Sequence, residues 1–174
     1  MKFVSLTFLI FLLSFISTQA QEMEQEKEIK HKIALFFGFT HVPKAIENGE
    51  SIKPENLPTI GLDYFYELNQ KWELGVVLDF ELGKYAVDFG GENIPREFAL
   101  VTGVVANYSL WRGWSIYAGP GVEFERNKNL FILKTGTEYE FELGKNWGLH
   151  PAFSYDFKKE YGSYFFGVGV SKGF

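Results

Sequence analysis

The chain has 174 residues, a formal net charge of −5, no cysteine, 18 glycines and an aromatic share of 18% made up of 19 Phe, 9 Tyr and 4 Trp. That length fits one domain, and the mildly acidic balance offers no basic footprint for nucleic acid. Without cysteine, and with three scattered histidines, no metal or other cofactor site is expected.

Residues 1–20 read as a signal peptide cleaved after Ala20: Lys2 gives the positive start, Phe3 to Ile16 the apolar stretch, and Thr18-Gln19-Ala20 the small-x-small site. About 14 apolar residues fall short of the ~20 that a spanning helix needs, so export is expected rather than anchoring. Residues 21–30 (QEMEQEKEIK) are charged and lack an apolar face, as in a periplasmic leader. Downstream there is no other run of some 18 apolar residues, so a membrane location for residues 31–174 requires a barrel.

From Lys32 on, apolar residues recur at every second position, the period of a strand. Strands are predicted at 31–40, 58–68, 72–83, 97–110, 114–126, 129–143, 147–158 and 161–174. In the second, Ile60, Leu62, Tyr64, Tyr66 and Leu68 face one way and Gly61, Asp63, Phe65 and Glu67 the other. The third repeats the pattern, with Trp72, Leu74, Val76, Leu78 and Phe80 against Glu73, Gly75, Val77 and Asp79. Pro120 and Pro151 fall inside the fifth and seventh strands, where a closed barrel has no edge to hide a missing N–H, so bulges or local breaks are predicted there.

Long connections at 41–57 and 84–96 alternate with tight ones at Asn69-Gln70-Lys71, Trp111-Arg112-Gly113 and Gly144-Lys145-Asn146. Each tight turn is followed at once by a tryptophan, in QKWEL (Trp72), RGWSI (Trp114) and KNWGL (Trp147), which puts the three rings at one membrane level. Phe124 and Phe157 follow ten residues after Trp114 and Trp147. Ten residues at ~3.3 Å rise and ~40° tilt cover roughly 25 Å of membrane normal, the height of the apolar band of a membrane barrel.

A soluble lipocalin-like carrier has the same strand count but turns its apolar face inward. Here that face carries on the order of 40 large side chains, far more than an eight-stranded interior can hold. The opposite face carries Gly61, Gly75, Gly103, Gly119, Gly121, Gly136, Gly148, Gly167 and Gly169 among carboxylates, which suits a narrow, filled, polar lumen. The last strand, YGSYFFGVGVSKGF, ends on Phe174, with Val170, Val168, Phe166 and Tyr164 in phase. On these features the chain resembles the small outer-membrane β-barrel proteins, the OmpA/OmpX-like superfamily. The resemblance implies an eight-stranded antiparallel up-and-down transmembrane barrel in contact with outer-membrane lipid. It also implies recognition of the aromatic C-terminal strand by the barrel-assembly machinery. Lys172 departs from the pattern at a position usually apolar or aromatic, and is accommodated if it snorkels to the interface.

The lumen is expected to hold Asp63, Glu73, Asp79, Glu123, Lys134, Glu138, Glu140, His150 and Asp156. If the sixth turn places Leu143 opposite Trp147, then Glu140 faces His150 and Lys134 faces Asp156. The carboxylates could form an acidic ion path, but unpaired buried charge is costly, so a plug of pairs with Lys134, Lys32, His150 and Lys158 is the favoured reading. No catalytic set is expected: His150 and Ser154 share a face, yet four strand residues separate them by ~13 Å. Gly90-Gly91 lacks the Lys-Ser/Thr of a phosphate cradle and reads as a turn. The sequence thus predicts a non-enzymatic barrel with a structural or surface-contact role through its outer loops, 40–57 and 84–97, whose mixed charge names no ligand. A lipid-modifying barrel enzyme is the other reading, alongside the soluble carrier.

Overall fold

The computed structural model describes residues 30–47, 51–159 and 161–174, so the predicted signal peptide and all but the last residue of the leader lie outside it. In chain order the strands are β1 (His31–Val42), β2 (Ala45–Glu47), β3 (Ser51–Ile52), β4 (Glu55–Asn69), β5 (Trp72–Glu81), β6 (Lys84–Phe89) and β7 (Glu92–Glu97). They are followed by β8 (Leu100–Trp111), β9 (Trp114–Phe124), β10 (Leu130–Tyr139), β11 (Phe141–Gly144), β12 (Trp147–Phe157) and β13 (Gly162–Gly173). Neighbours pair antiparallel in the order β10-β9-β8-β5-β4-β1-β13-β12, and β12 pairs back onto β10 to close the ring. With β11 continuing β10 as the second half of one stave, the barrel has eight staves. The strand period of the sequence therefore produced the predicted architecture.

Facing directions follow the pleat. Exposed on the outside are Ile33, Leu35, Phe37 and Phe39 of β1, Leu62, Tyr64 and Tyr66 of β4, and Phe166, Val168 and Val170 of β13. Three inward aromatic rings lie over a glycine directly across the ladder, in the pairs Phe65↔Gly75, Phe36↔Gly169 and Tyr117↔Gly136. A methyl group at any of these glycines would run into the ring beside it. Glycine is therefore the condition for a ring to lie flat in so narrow an interior.

The three tight turns share a device that the spacing of their tryptophans did not reveal. Ladder pairs close them at Asn69↔Trp72, Trp111↔Trp114 and Gly144↔Trp147, and just before each the register shifts, leaving Leu68, Leu110 and Leu143 as the extra residue of a bulge. The expected Leu143↔Trp147 pair is thus corrected: the bulge hands that place to Gly144. Gly144, Lys145 and Asn146 all have positive φ (83°, 51° and 62°), as do Arg112 (46°) and Gly113 (84°), which supplies the twist that two-residue hairpin loops need. Beyond the bulge the predicted register resumes, with Phe141↔Leu149 and Lys134↔Asp156.

Both strand prolines interrupt one flank of the ladder and bulge neither. Pro120 pairs with Leu133 on β10, while on the β8 side pairing lapses between Gly103↔Gly121 and Ala106↔Ala118 without a change of register. Pro151 pairs with Val168 on β13, and its other flank meets the gap between β10 and β11. A missing N–H removes one ladder bond and leaves the facing of the strand intact.

The two long connections are more ordered than loops. They form a second sheet in the order β3-β2-β6-β7 at the end of the barrel away from the tight turns. Gly90 and Gly91 turn the β6–β7 hairpin with φ of 69° and 90°, and Asp88 Oδ1 accepts the Gly91 N–H at 2.7 Å. Tyr85 and Val87 of this hairpin pack with Val42, Ala45, Leu57, Leu130 and Tyr161 into an apolar cap over the barrel mouth.

Candidate functional site

Among the described residues, ionisable side chains from six of the eight staves converge in the lumen, which has three levels. At the loop end, Arg96 of β7 reaches inward: its Nε donates to Glu123 Oε1 at 2.8 Å, its two terminal nitrogens reach Glu123 and the Lys128 carbonyl, and Glu125 stands 3.5 Å away. Lys158 approaches the other Glu123 oxygen at 2.5 Å and donates to Ser163 Oγ at 2.9 Å. Tyr161 also donates to Glu123 (3.0 Å), and Tyr85 donates to Glu81 (3.2 Å). Burial, with Glu81 and Glu123 beside it, raises the Tyr85 phenol well above its ordinary value. Burial likewise pushes Tyr161 up to about 12. Both tyrosines thus remain neutral hydroxyl donors at neutral pH.

At mid-height, Lys134 stands 2.8 Å from both Asp79 and Asp156, with Asp63 buried close by. Phe36, Val77, Tyr117 and Phe165 fill the cross-section, leaving a cavity of about 10 Å³, room for one water at most. Among the described residues, no cavity wider than one water crosses this level.

The tight-turn end is open. Two clefts of about 490 and 300 Å³ enter the lumen there and share Lys32, Glu73 and Glu140 on their walls. Lys32 Nζ is 3.0 Å from Glu73 and 3.7 Å from Glu140, and Asn107 donates to Glu73 at 2.6 Å. Deeper, Glu138 accepts from Ser115 Oγ at 3.3 Å and stands 3.5 Å from His150 Nδ1, while His150 Nε2 lies 2.7 Å from Ser171 Oγ. Glu140 lies where the ladder lapses between β10 and β11, with an oxygen 3.9 Å from His150 Nε2.

The nine residues expected in the lumen therefore all face it, at three heights: Glu123 in the cap, Asp63, Asp79, Lys134 and Asp156 in the middle, and Glu73, Glu138, Glu140 and His150 toward the tight turns. Several partners escaped the sequence. Arg96, Glu81 and Tyr85 were assigned to a loop or a strand end, although the alternation in KYAVDF was a signal that the segment has an inward face. Ser171 carries no sequence signal, because it meets His150 across two strands and not along one. Ser154 lines the small central cavity instead. Among the described residues, no group of three or more His, Cys, Asp or Glu could hold a metal.

On the outside, Trp72 and Trp114 are exposed at the tight-turn end and Phe124 and Phe157 at the loop end. Trp147 is half-buried beneath Lys172, whose Nζ lies 5.4 Å from the ring centroid while bonding the Lys145 carbonyl, the geometry of a snorkelling lysine. Phe174 stacks on His31 with ring centroids 5.6 Å apart, joining the last strand to the first. The tight-turn girdle includes Trp111, Tyr64 and Tyr66, with Tyr108 against Trp72, whereas the loop-end girdle of Phe39, Phe80, Phe98, Phe124, Phe131 and Phe157 is mostly phenylalanine, with Tyr155 and Tyr164 among it.

No family model matches the chain, and no curated protein matches it. Solved structures do. The N-terminal β-barrel domain of Pseudomonas aeruginosa OprF aligns with TM-score 0.55 and 12% identity, over 84% of this chain and 100% of that one. The outer membrane protein OprG from Pseudomonas aeruginosa aligns with TM-score 0.53 and 13% identity, over 82% and 96%. Ail, the attachment invasion locus protein of Yersinia pestis, solved with the heparin analogue sucrose octasulfate, aligns with TM-score 0.51 and 16% identity, over 83% and 99%. The chain has the fold of these small outer-membrane barrels.

Proposed function

We propose that this protein is an outer-membrane barrel with a structural and surface-contact role, its tight turns in the periplasm and the β2-β3-β6-β7 sheet presented at the cell surface. The observation that carries this reading is the pairing of an apolar exterior, bounded by two aromatic girdles, with an interior plugged by ion pairs. Water would drive so large an exposed apolar surface into aggregation, whereas lipid accepts it. A soluble carrier would need room inside, and the mid-level holds about 10 Å³. The outer connections are tied down by Arg96 and the apolar cap, so they offer a surface of fixed shape. This role requires no chemistry and no steady ion flow. Export by a cleaved signal peptide and insertion by the barrel-assembly machinery through the strand ending at Phe174 complete the proposal.

The absence of cysteine makes the orientation directly testable. A Glu92→Cys variant should react with a membrane-impermeant maleimide on intact cells, and a Gln70→Cys variant only after the outer membrane is permeabilised. The reverse pattern would overturn the orientation, and a soluble periplasmic protein with both sites reactive would overturn the membrane reading.

A further inference from the structure

The contact between His150 and Ser171 goes beyond the surface-contact role. His150 sits on β12 between two neighbours and meets one residue of each on the diagonal. Glu138 of β10 is opposite Ala152, two residues above His150, and Ser171 of β13 is opposite Gly148, two residues below. Diagonal neighbours on one face of a sheet are within reach of long side chains. The imidazole therefore spans from a carboxylate on one side, 3.5 Å from Nδ1, to a hydroxyl on the other, 2.7 Å from Nε2. All three side chains are nearly sealed from solvent, and Ser171 forms part of the inner wall of the 490 Å³ cleft.

Carboxylates face both ring nitrogens, Glu138 at 3.5 Å from Nδ1 and Glu140 at 3.9 Å from Nε2, and the nearer one decides the tautomer. Nδ1 is buried and has no hydrogen-bond partner, and the polar group it points toward is the Glu138 carboxylate. A bare nitrogen lone pair there would repel the carboxylate, so the proton belongs on Nδ1. Nε2 is then left with a lone pair facing the Ser171 hydroxyl. This is the electronic arrangement that turns a serine into a nucleophile. Gly148 lets the His150–Ser171 contact close: a methyl group on it would stand 2.7 Å from both His150 Nε2 and Ser171 Oγ and 2.6 Å from Glu140 Oε1. Lys32, on the same cleft wall, is paired with Glu73 at 3.0 Å and Glu140 at 3.7 Å, which makes the entrance polar.

We propose that Ser171, His150 and Glu138 form a nucleophilic acyl-transfer site that opens to the tight-turn end and takes a small, polar carboxylic ester. Ser171 Oγ attacks the ester carbonyl carbon as its proton passes to His150 Nε2. The tetrahedral intermediate collapses; the bond to the alkoxy oxygen breaks, and that oxygen departs with the proton from His150. Water then attacks the acyl-serine, giving a proton to Nε2. As the acyl bond to Oγ breaks, Oγ takes that proton back and the carboxylic acid is released. Ser171 and His150 are the catalytic residues, and Glu138 is a positioning residue. The barrel wall separates the site from lipid outside, so the substrate enters through the cleft.

The test is covalent labelling of the folded, detergent-solubilised full chain with a fluorescent fluorophosphonate, the labelled residue being located by mass spectrometry. The expected result is phosphonylation of Ser171, with Ser154→Ala reacting like the unaltered chain and Ser171→Ala not reacting. His150→Gln should react at least ~100-fold more slowly, the scale of general-base assistance. Glu138→Gln should lose labelling that Glu138→Asp partly restores, which a merely structural role would not produce. A folded, heat-modifiable barrel that takes no label, or takes it at another residue, overturns the proposal. So does a Ser171→Ala variant that reacts at the original rate.

Discussion

At the loop end of the lumen, Arg96 and Glu123 hold each other with side chains 1% and 0% exposed, whereas on the outer surface a few residues away Lys84 and Glu97 make a 3.1 Å pair with 61% and 49% exposure. The first ties the β6–β7 hairpin to the barrel and the second joins its two strands, and both pair a cation with a carboxylate. They differ in what replaces the partner when it is lost. Water takes over at Lys84, but at Arg96 only Glu123 keeps another cation, Lys158, along with the Tyr161 hydroxyl, while Glu125 and the Lys128 carbonyl lose their cation and leave the dry interior one negative charge in excess. The same chemical pair is therefore a fastening in one place and a surface decoration in the other.

The largest effect should come from breaking the buried fastening. Arg96→Ala is expected to lose about 3–5 kcal/mol, the cost of leaving a buried charge uncompensated, read by urea unfolding of the barrel in lipid vesicles. A loss under about 1 kcal/mol would mean that water reaches the cap. Lys134→Met, which strands Asp79 and Asp156 at mid-height, should cost a similar amount. Adding Asp79→Leu and Asp156→Leu should recover much of it, because the penalty belongs to unpaired charge and not to the loss of an attraction. Gly75→Ala comes next, at about 1–3 kcal/mol, since the new methyl must displace the Phe65 ring from a packed lumen. The exposed control, Lys84→Ala, should stay within about 1 kcal/mol, and less at high salt.

The cap also carries a pH dependence. The raised Tyr85 value means that the folded state holds its proton beyond the point at which the unfolded chain, near 10.0, releases it. Stability from this group is thus complete below about pH 10 and falls as pH rises further. Tyr85→Phe should flatten that alkaline limb, and a limb unchanged by the substitution would remove Tyr85 as its origin.

How far this arrangement could be read from the sequence depended on whether the cause was local. Strand number, facing and the Lys134↔Asp156 register follow from a two-residue period and short turns, which are written in consecutive residues. The bulged leucines were less legible because Leu-x-x-x-Trp looks the same whether two or three residues make the turn; positive φ at Gly144, Lys145 and Asn146 decides it. The cap was hidden because Arg96 reads as a loop charge until its hairpin is folded over the mouth. The Glu138–His150–Ser171 line was hidden for a similar reason. It crosses three strands, and the diagonal that joins His150 to Ser171 spans 21 residues of sequence.

The most direct test of the central claim, a closed barrel in the outer membrane, is gel mobility of the protein from fractionated cells, with and without boiling. The account predicts recovery in the outer-membrane fraction and a band that migrates faster unboiled, because the closed ring of strands survives detergent at room temperature. Recovery as a soluble periplasmic protein with one mobility under both conditions would contradict it.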